Sequence, residues 1–210
     1  MVVEQFNYMN FLKKLKIRWQ QRRVAQLSSQ HPREQRRLHT SSAKTVGILF
    51  DATEPNNCEL ALKYGEKWYQ KGKKVSFLGF INAAPPKKNG GDAPSFLHFY
   101  KNEVTWLWQT KSKTAEHFMQ QSFDILIGLY TKHDPVMDSV AACSLAHFKI
   151  GGTDNSPLKP FDFVLDVGEN AELPRFIQQL DFYLQKLQPA SHVAHVAPLL
   201  RYETTLAATV

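Results

Sequence analysis

The chain has 210 residues, of which 43% are apolar and 12% aromatic. This apolar content excludes a wholly disordered chain, and the length suits one domain with some additional sequence. The two cysteines exclude a disulfide-rich secreted scaffold and a four-cysteine zinc site. No apolar run reaches the roughly 18 residues of a membrane-spanning helix. The net charge of +7 is unevenly distributed, since residues 1–44 carry +8 and residues 45–210 carry −1.

Residues 1–44 are predicted to form a basic amphipathic helix and a linker. Within 7–27, apolar side chains recur at spacings of three and four, which places them on one helix face: Tyr8, Phe11, Leu12, Leu15 and Trp19. Residues 28–42 are polar and basic, contain Pro32 and show no apolar period, which is typical of a linker. We therefore expect the body of the protein to fold without this segment.

Residues 45–188 are predicted to form an α/β domain. Largely apolar runs indicate strands buried on both faces at four places: 46–50, 75–80, 123–130 and 161–167. Shorter strands are expected within 96–108 and at 149–152. The alternation of strands with helices predicts a three-layer Rossmann-like fold, with a mostly parallel sheet and helices on both faces.

The helices of this domain have recognisable ends in the sequence. Asn56, three residues before Glu59, predicts a capped start, and Gly72 predicts the end of the same helix. Asp134 followed by Pro135 predicts the start of another helix, which we expect to reach about residue 148. Further helices are expected at 114–121 and 173–187. Residues 189–210 show no period and are interpreted as a C-terminal tail.

Several polar residues follow the predicted strands. Ligands of open α/β sheets bind beyond the carboxyl ends of the strands, so we expect any small-molecule pocket to include Asp51, Thr53, His133 and Asp154. Asp134 is better explained as a helix cap than as a catalyst. The chain lacks the glycine-rich dinucleotide motif, the phosphate-binding loop and the nucleophile elbow. We predict no catalytic residue and no cofactor.

Two other groups of residues were considered as sites. His192 and His195 have the spacing of a metal pair but no carboxylate or thiol partner nearby in the sequence, so we predict no metal site. Trp106 and Trp108 would lie on one side of a strand, where they could stack on a base or a sugar. Core packing explains the two indoles better.

Five stretches carry a resemblance to a known family: 44–52, 72–75 with 78–79, Trp106 with 111–113, 123–127 and 148–151. Through them the chain resembles, over 44–187, a bacterial family known only as a domain of unknown function, in which a basic helix typically precedes the domain. This resemblance implies a fold and no chemistry. Residues 123–129, the helix after them and Lys149–Gly151 are also similar, more distantly, to the first domain of heptosyltransferase-like glycosyltransferases. Those enzymes need a second domain for which this chain has no room, so we do not expect transferase activity.

Two functions are compatible with these features. The first is a non-enzymatic binding module whose basic arm docks on an anionic surface, either the inner leaflet of a membrane or RNA on the ribosome. The residues expected to make that contact are Lys13, Lys14, Lys16, Arg18, Trp19, Arg22 and Arg23. The alternative is an enzyme that binds a small molecule, nucleotide or nucleotide sugar at the strand ends. An organelle presequence at 1–44 would also be basic, but the bacterial resemblance argues against it. We expect a cytoplasmic protein, free or peripheral at the inner membrane.

Overall fold

The fold is a doubly wound parallel sheet. The computed structural model describes residues 2–36, 40–86, 95–152, 156–168 and 171–186, with side chains from residue 11 onward. The strands of this part of the chain are β1 (Thr45–Asp51), β2 (Lys74–Ile81), β3 (Leu97–Tyr100), β4 (Ile125–Leu129), β5 (Phe148–Gly151) and β6 (Phe163–Val164). They form one sheet in the order β3-β2-β1-β4-β5-β6, and each adjacent pair is parallel. The predicted α/β class is confirmed.

Helices cover both faces of the sheet. They are α1 (Val2–Gln30), α2 (Pro55–Gln70), α3 (Lys113–Gln120), α4 (Pro135–Cys143) and α5 (Leu173–Lys186), with a 3₁₀ turn at Lys101–Glu103. Within the described residues, none of these helices combines the length and hydropathy of a membrane-spanning segment.

Alternation along β1 explains the three layers. Val46, Ile48 and Phe50 belong to a core that includes residues of α2 and α5. Leu49 belongs to a second core that includes residues of α3 and α4. Because successive side chains of a strand point to opposite faces, a run that is apolar at every position supplies both cores at once.

Two helix boundaries differ from the prediction. Helix α2 begins at Pro55, and its N-cap is Glu54 rather than Asn56. Proline suits the first helical position because its φ is already helical and its missing N–H is not needed there. Helix α4 ends at Cys143, not near residue 148. The residues beyond it form backbone hydrogen bonds outside α4, and His147 donates its N–H to the carbonyl of Phe123, 2.8 Å away.

The last strand is shorter than predicted. The apolar run at 161–167 contributes only two residues to β6, at the edge of the sheet. The ring of Phe161 packs against the backbone of β4 and β5 at two glycines. A Cβ atom would lie 2.6 Å from this ring at Gly128 and 2.2 Å from it at Gly151. Phe161 therefore serves as a core side chain that crosses neighbouring strands.

Helix α1 forms an additional layer on the outside of α4. The face that contacts the domain, called the inner face, includes Gln20 and Val24, which are 1% and 6% exposed. The Gln20 side chain donates through Nε2 to the carbonyl of Pro135, at 2.9 Å. The exposed Gln21 donates in the same way to Pro157, at 3.0 Å.

The segment after α1 is also bonded to the domain. The Arg33 guanidinium donates through both terminal nitrogens to the Asp162 carboxylate, and Nη1 also reaches the carbonyl of Ala146 at 3.3 Å. The backbone N–H of Arg36 donates to the carbonyl of His147 at 3.1 Å. Residues 33–36, which were interpreted as linker, therefore lie along the domain surface. The predicted tail at 189–210 and the histidines at 192 and 195 lie outside the described residues.

Candidate functional sites: a pocket at the switch point and the outer face of α1

The strand order places a crevice between β1 and β4. From β1 the chain crosses to β2 and β3 on one side, while β4, β5 and β6 lie on the other side. The connections that leave the carboxyl ends of β1 and β4 therefore run in opposite directions and diverge between these two strands. In open α/β sheets, ligands bind at this point of divergence. A cavity of about 670 Å³ lies at this point. We call it the switch-point pocket.

The lining of the switch-point pocket is polar and acidic. Its charged residues are four carboxyl groups and one ammonium group, besides one imidazole: Asp51, Glu54, Asp134, Glu172, Lys132 and His133. They come from the loops after β1 and β4 and from the start of α5. Among the residues that the structure describes, no three histidine, cysteine or acidic side chains are grouped as a metal site.

The four residues predicted for a pocket have different positions. Asp51 and His133 line the cavity. The Asp51 carboxylate accepts the N–H of Thr53 at 2.9 Å. Thr53 is not part of the lining. Its hydroxyl accepts the N–H of Asn82 at 3.0 Å and thereby connects the loops after β1 and β2. Asp154 lies outside the described residues.

The sequence interpretation missed the group behind His133. Nδ1 of this ring lies 2.5 Å from Oδ2 of Asp138, a residue of the first turn of α4 whose side chain has no exposed surface. The hydroxyl of Tyr130 donates to the other oxygen, Oδ1, at 2.9 Å. The sequence did contain a signal for this group. Asp138 follows the Asp134 cap by one helical turn, at a position where the helix faces the core.

Burial dominates the acid–base properties of these groups. It raises the pKa of Asp138, against the opposing effect of hydrogen bonds from Ser156 and Tyr130 and of the nearby His133. Burial also raises the pKa of Asp134, although this carboxylate accepts the N–H groups of Met137 and Val136 as the predicted cap of α4. The pKa of Tyr130 is raised well above its usual value, first by burial and then by Asp138. Tyr130 is therefore a hydrogen-bond donor at neutral pH.

The second candidate site is the part of α1 that carries exposed apolar side chains, called the outer face. Its exposed apolar side chains are Phe11, Leu12 and Trp19, which are 61%, 44% and 42% exposed. Leu15, at the same helical spacing, is half-buried. Trp106, 61% exposed, extends this surface because its ring lies edge-on to Trp19 with centroids 5.4 Å apart. Tyr8 of the predicted apolar stripe lies outside the described side chains, and the rest of the stripe is largely solvent-facing.

Helix α1 also carries basic residues. Those with exposed side chains are Lys13, Lys14, Arg18, Arg22 and Arg23. Lys16 differs from them because its Nζ lies 3.6 Å from the centroid of the Trp108 ring, and burial lowers its pKa. Trp108 lies in a turn closed by a bridge between Val104 and Thr110, not in a strand. The two indoles predicted to share a strand face thus contact α1 instead.

Fold and sites together define a doubly wound α/β protein with a crevice at its switch point and a long, only weakly amphipathic N-terminal helix packed on the outside. The model of a family of unknown function, DUF6913, matches residues 16–187, and the chain belongs to this family. The match begins inside α1, so the second half of that helix is part of what the family shares. No curated protein and no solved structure matches the chain, and the glycosyltransferase likeness gains no support.

Proposed function

We propose that this protein is a peripheral binding module that docks on anionic membranes through the outer face of α1. The observation that supports this is the orientation of the helix. Gln20 and Val24 are buried against the domain, whereas Phe11, Leu12 and Trp19 remain substantially exposed. Contiguous exposed apolar surface of this kind marks an interaction site.

The chemistry of the outer face fits the boundary between lipid headgroups and acyl chains. An interfacial helix buries leucine, phenylalanine and tryptophan beneath the headgroups and presents lysine and arginine to them. Each basic residue near an anionic membrane contributes about 1 kcal/mol. The basic residues at 13, 14, 18, 22 and 23 are exposed, and Arg23 also donates to the Gln26 side chain on the same helix.

The apolar composition favours a membrane over RNA. Proteins that bind single-stranded RNA use aromatic platforms for stacking, and Trp19 and Trp106 could act in that way. Leu12 and Phe11 extend the surface further, but Leu12 has no aromatic ring to stack on a base. The same side chain gains free energy from burial among acyl chains. A position at the inner leaflet of a bacterial cytoplasmic membrane follows from this proposal.

The test is flotation of the full chain with vesicles of phosphatidylcholine alone and with added phosphatidylglycerol, at low and high salt. We expect binding only to the anionic vesicles, weakened by salt. Neutralising Lys13, Lys14 and Arg18 to glutamine should lower the affinity on the order of a hundredfold, at about 1 kcal/mol for each charge. Lys16 is left intact because its substitution would also disturb Trp108.

A matched control removes the same charge elsewhere. Lys63, Lys71 and Lys186 are exposed and lie on or next to α2 and α5, across the sheet from α1. Their substitution by glutamine should leave vesicle binding unchanged. Equal losses in the two triple variants would mean that net charge, not the outer face, recruits the protein. Binding to single-stranded RNA or ribosomes without binding to vesicles would contradict the membrane proposal.

The alternative function, a small-molecule site at the strand ends, is a second candidate because the cavity lies at the switch point of the sheet. It is independent of the outer face, since His133 and Asp51 follow strands of the sheet whereas Phe11 and Trp19 belong to α1. A thermal-shift screen of the full chain against small metabolites tests it. Stabilisation that is lost in an Asp51→Asn variant is the expected result.

A further inference from the structure

We propose that the switch-point pocket is a site of general-base chemistry, in which Nε2 of His133 accepts a proton from a hydroxyl group or water molecule and Asp138 is the positioning residue. The substrate class is a small hydroxylated molecule without phosphate. This proposal rests on the second candidate function and specifies the chemistry of that pocket.

The geometry fixes the roles of the two ring nitrogens. An ionised carboxylate can only accept hydrogen bonds, so with Asp138 ionised the nitrogen Nδ1 of His133, 2.5 Å away, carries the proton. In the neutral ring, Nε2 is then the basic nitrogen. No partner for Nε2 is present among the described residues, and the His133 side chain is 36% exposed at the cavity. The ring therefore presents its lone pair to a bound molecule.

His133 and Asp138 are held by more polar contacts than packing alone would require. Asp138 is completely buried, and its second oxygen accepts a hydrogen bond from the buried hydroxyl of Tyr130. A buried carboxylate is seldom a net source of stability, since apolar residues of similar volume often stabilise a core as well or better. A carboxylate held in this way can select the imidazole tautomer and balance the charge of an imidazolium ion.

The proton transfer is balanced within the site. The proton of the bound hydroxyl or water moves to Nε2, and the bonding electron pair remains on the oxygen. The resulting imidazolium keeps its Nδ1–H bond to Asp138, so the new positive charge lies beside a negative one. Return of the proton from Nε2 to that oxygen restores the neutral ring.

The charges of the pocket limit the ligand class. Asp51, Glu54 and Glu172 face the cavity together with Asp134, whereas Lys132 is the ammonium group among its lining residues. The N-termini of α2 and α4 contribute partial positive charge, but the Asp134 carboxylate already accepts two of the N–H groups of α4. A phosphate group would be repelled by this lining. An uncharged or cationic compound with hydroxyl groups would not be.

The first test is nitrogen NMR of the full chain labelled with ¹⁵N-histidine. We expect neutral His133 to be protonated on Nδ1, whereas a solvent-exposed histidine prefers the proton on Nε2. Histidine 117, exposed on α3, is the internal reference. The His133→Gln variant assigns the signals. A proton on Nε2 of His133 in the unmodified protein would overturn the proposal, and this holds even if no variant of Asp138 folds.

The second test measures the reactivity of Nε2. Diethyl pyrocarbonate acylates unprotonated imidazole nitrogens, and peptide mass spectrometry gives the rate at each histidine. We expect His133 to react several-fold faster than His117, and Asp138→Asn to remove this difference without changing His117. If Asp138→Asn does not fold, Tyr130→Phe, which deletes only the hydrogen bond to Oδ1, should reduce the difference in part. Equal rates at His133 and His117 in the unmodified protein would overturn the base role.

The third test follows the His133 signals during titration with sorbitol, choline and AMP. We expect sorbitol or choline to shift them and AMP to leave them unchanged. Shifts with AMP alone would overturn the ligand class. If none of the three probes shifts the His133 signals, although the Nδ1 proton and the fast acylation are observed, the pocket is not a site for such molecules. The base geometry would then still stand. If a probe binds but Nδ1 of His133 carries no proton, the general-base role is rejected and the binding function stands.

Discussion

The two faces of α1 differ in a way that inverts the usual arrangement of a surface helix. Its inner face contacts the α/β domain through a buried glutamine, Gln20, and one buried valine, Val24. Its outer face exposes Phe11, Leu12 and Trp19. An amphipathic helix normally buries its larger apolar side chains against its own domain. This arrangement is the basis of the proposal that the outer face docks on a second surface, whereas the inner face holds the helix against the domain.

The inner contact is specific because it is polar. A hydrogen bond such as the one from Gln20 to Pro135 fixes register, and the Arg33 guanidinium that follows the helix matches one carboxylate. Apolar surface alone would stabilise the contact without specifying one geometry.

Removing the Arg33 side chain should produce the largest loss of stability. Its guanidinium is bidentate with Asp162, and the exposed fractions of the two side chains are only 23% and 10%. Arg33→Ala leaves a largely buried carboxylate with fewer partners, which should cost about 3 kcal/mol of unfolding free energy in urea titrations. The control is Arg36→Ala, which removes an exposed pair with Glu34 and should change nothing measurable. Equal effects would mean that the segment is not docked in solution.

The next largest effect should come from Lys149, whose burial should make the unfolding free energy depend on pH. Its Nζ donates to the carbonyls of Ala141 and Ala142, and burial, aided by Arg33, lowers its pKa from 10.5 to about 7. Between these two values the unfolded chain binds more protons than the folded one, so stability rises with pH. Relative to Lys149→Met, the unmodified protein should gain about 2 kcal/mol between pH 7 and pH 9.

Urea titrations at the two pH values measure this difference. Lys63→Met, at an exposed lysine of α2, is the matched control and should keep the pH dependence of the unmodified protein. If Lys149→Met also keeps it, the lysine is not buried as the structure describes.

The glutamine of the inner face should have a smaller effect. Gln20→Ala removes a buried donor and leaves a cavity against the first residue of α4, which should cost about 1 kcal/mol. The neighbouring Gln21 makes a similar bond from an exposed position, so Gln21→Ala should cost clearly less. Thermal unfolding of the two variants in parallel measures the difference. A larger effect of Gln21→Ala would reverse the assignment of inner and outer faces.

The outer face should matter least for stability and most for binding. Phe11 is 61% exposed, so Phe11→Ala should change the unfolding free energy by less than about 0.5 kcal/mol. The same variant should weaken binding to anionic vesicles several-fold, because it removes apolar area from the membrane contact. Val24→Ala is the converse control, with a loss of stability of about 1 kcal/mol or more and unchanged affinity. Opposite results for these two variants would contradict the proposed division of the helix.

Local patterns were sufficient for the sheet and for one cap. The continuous apolar runs predicted β1, β2 and β4 to within a few residues, because a strand buried on both faces needs apolar side chains at every position. Asp134 with Pro135 predicted the start of α4, since the cap involves only the next three residues. The stripe of α1 was also visible in the sequence, but its spacing shows only that the side chains share a face.

By itself, then, the sequence determined the fold class, the basic helix, and the positions of Asp51 and His133 after their strands. Only the tertiary structure decided which face of α1 meets the domain, that Arg33 reaches Asp162, and that Thr53 is outside the pocket lining. It also decided that Asp138 lies under His133. The physical reason is the separation in sequence of the interacting residues. Strands and caps depend on side chains that are a few residues apart. The other contacts depend on packing between segments that are distant in the chain, or on the burial of a helix face.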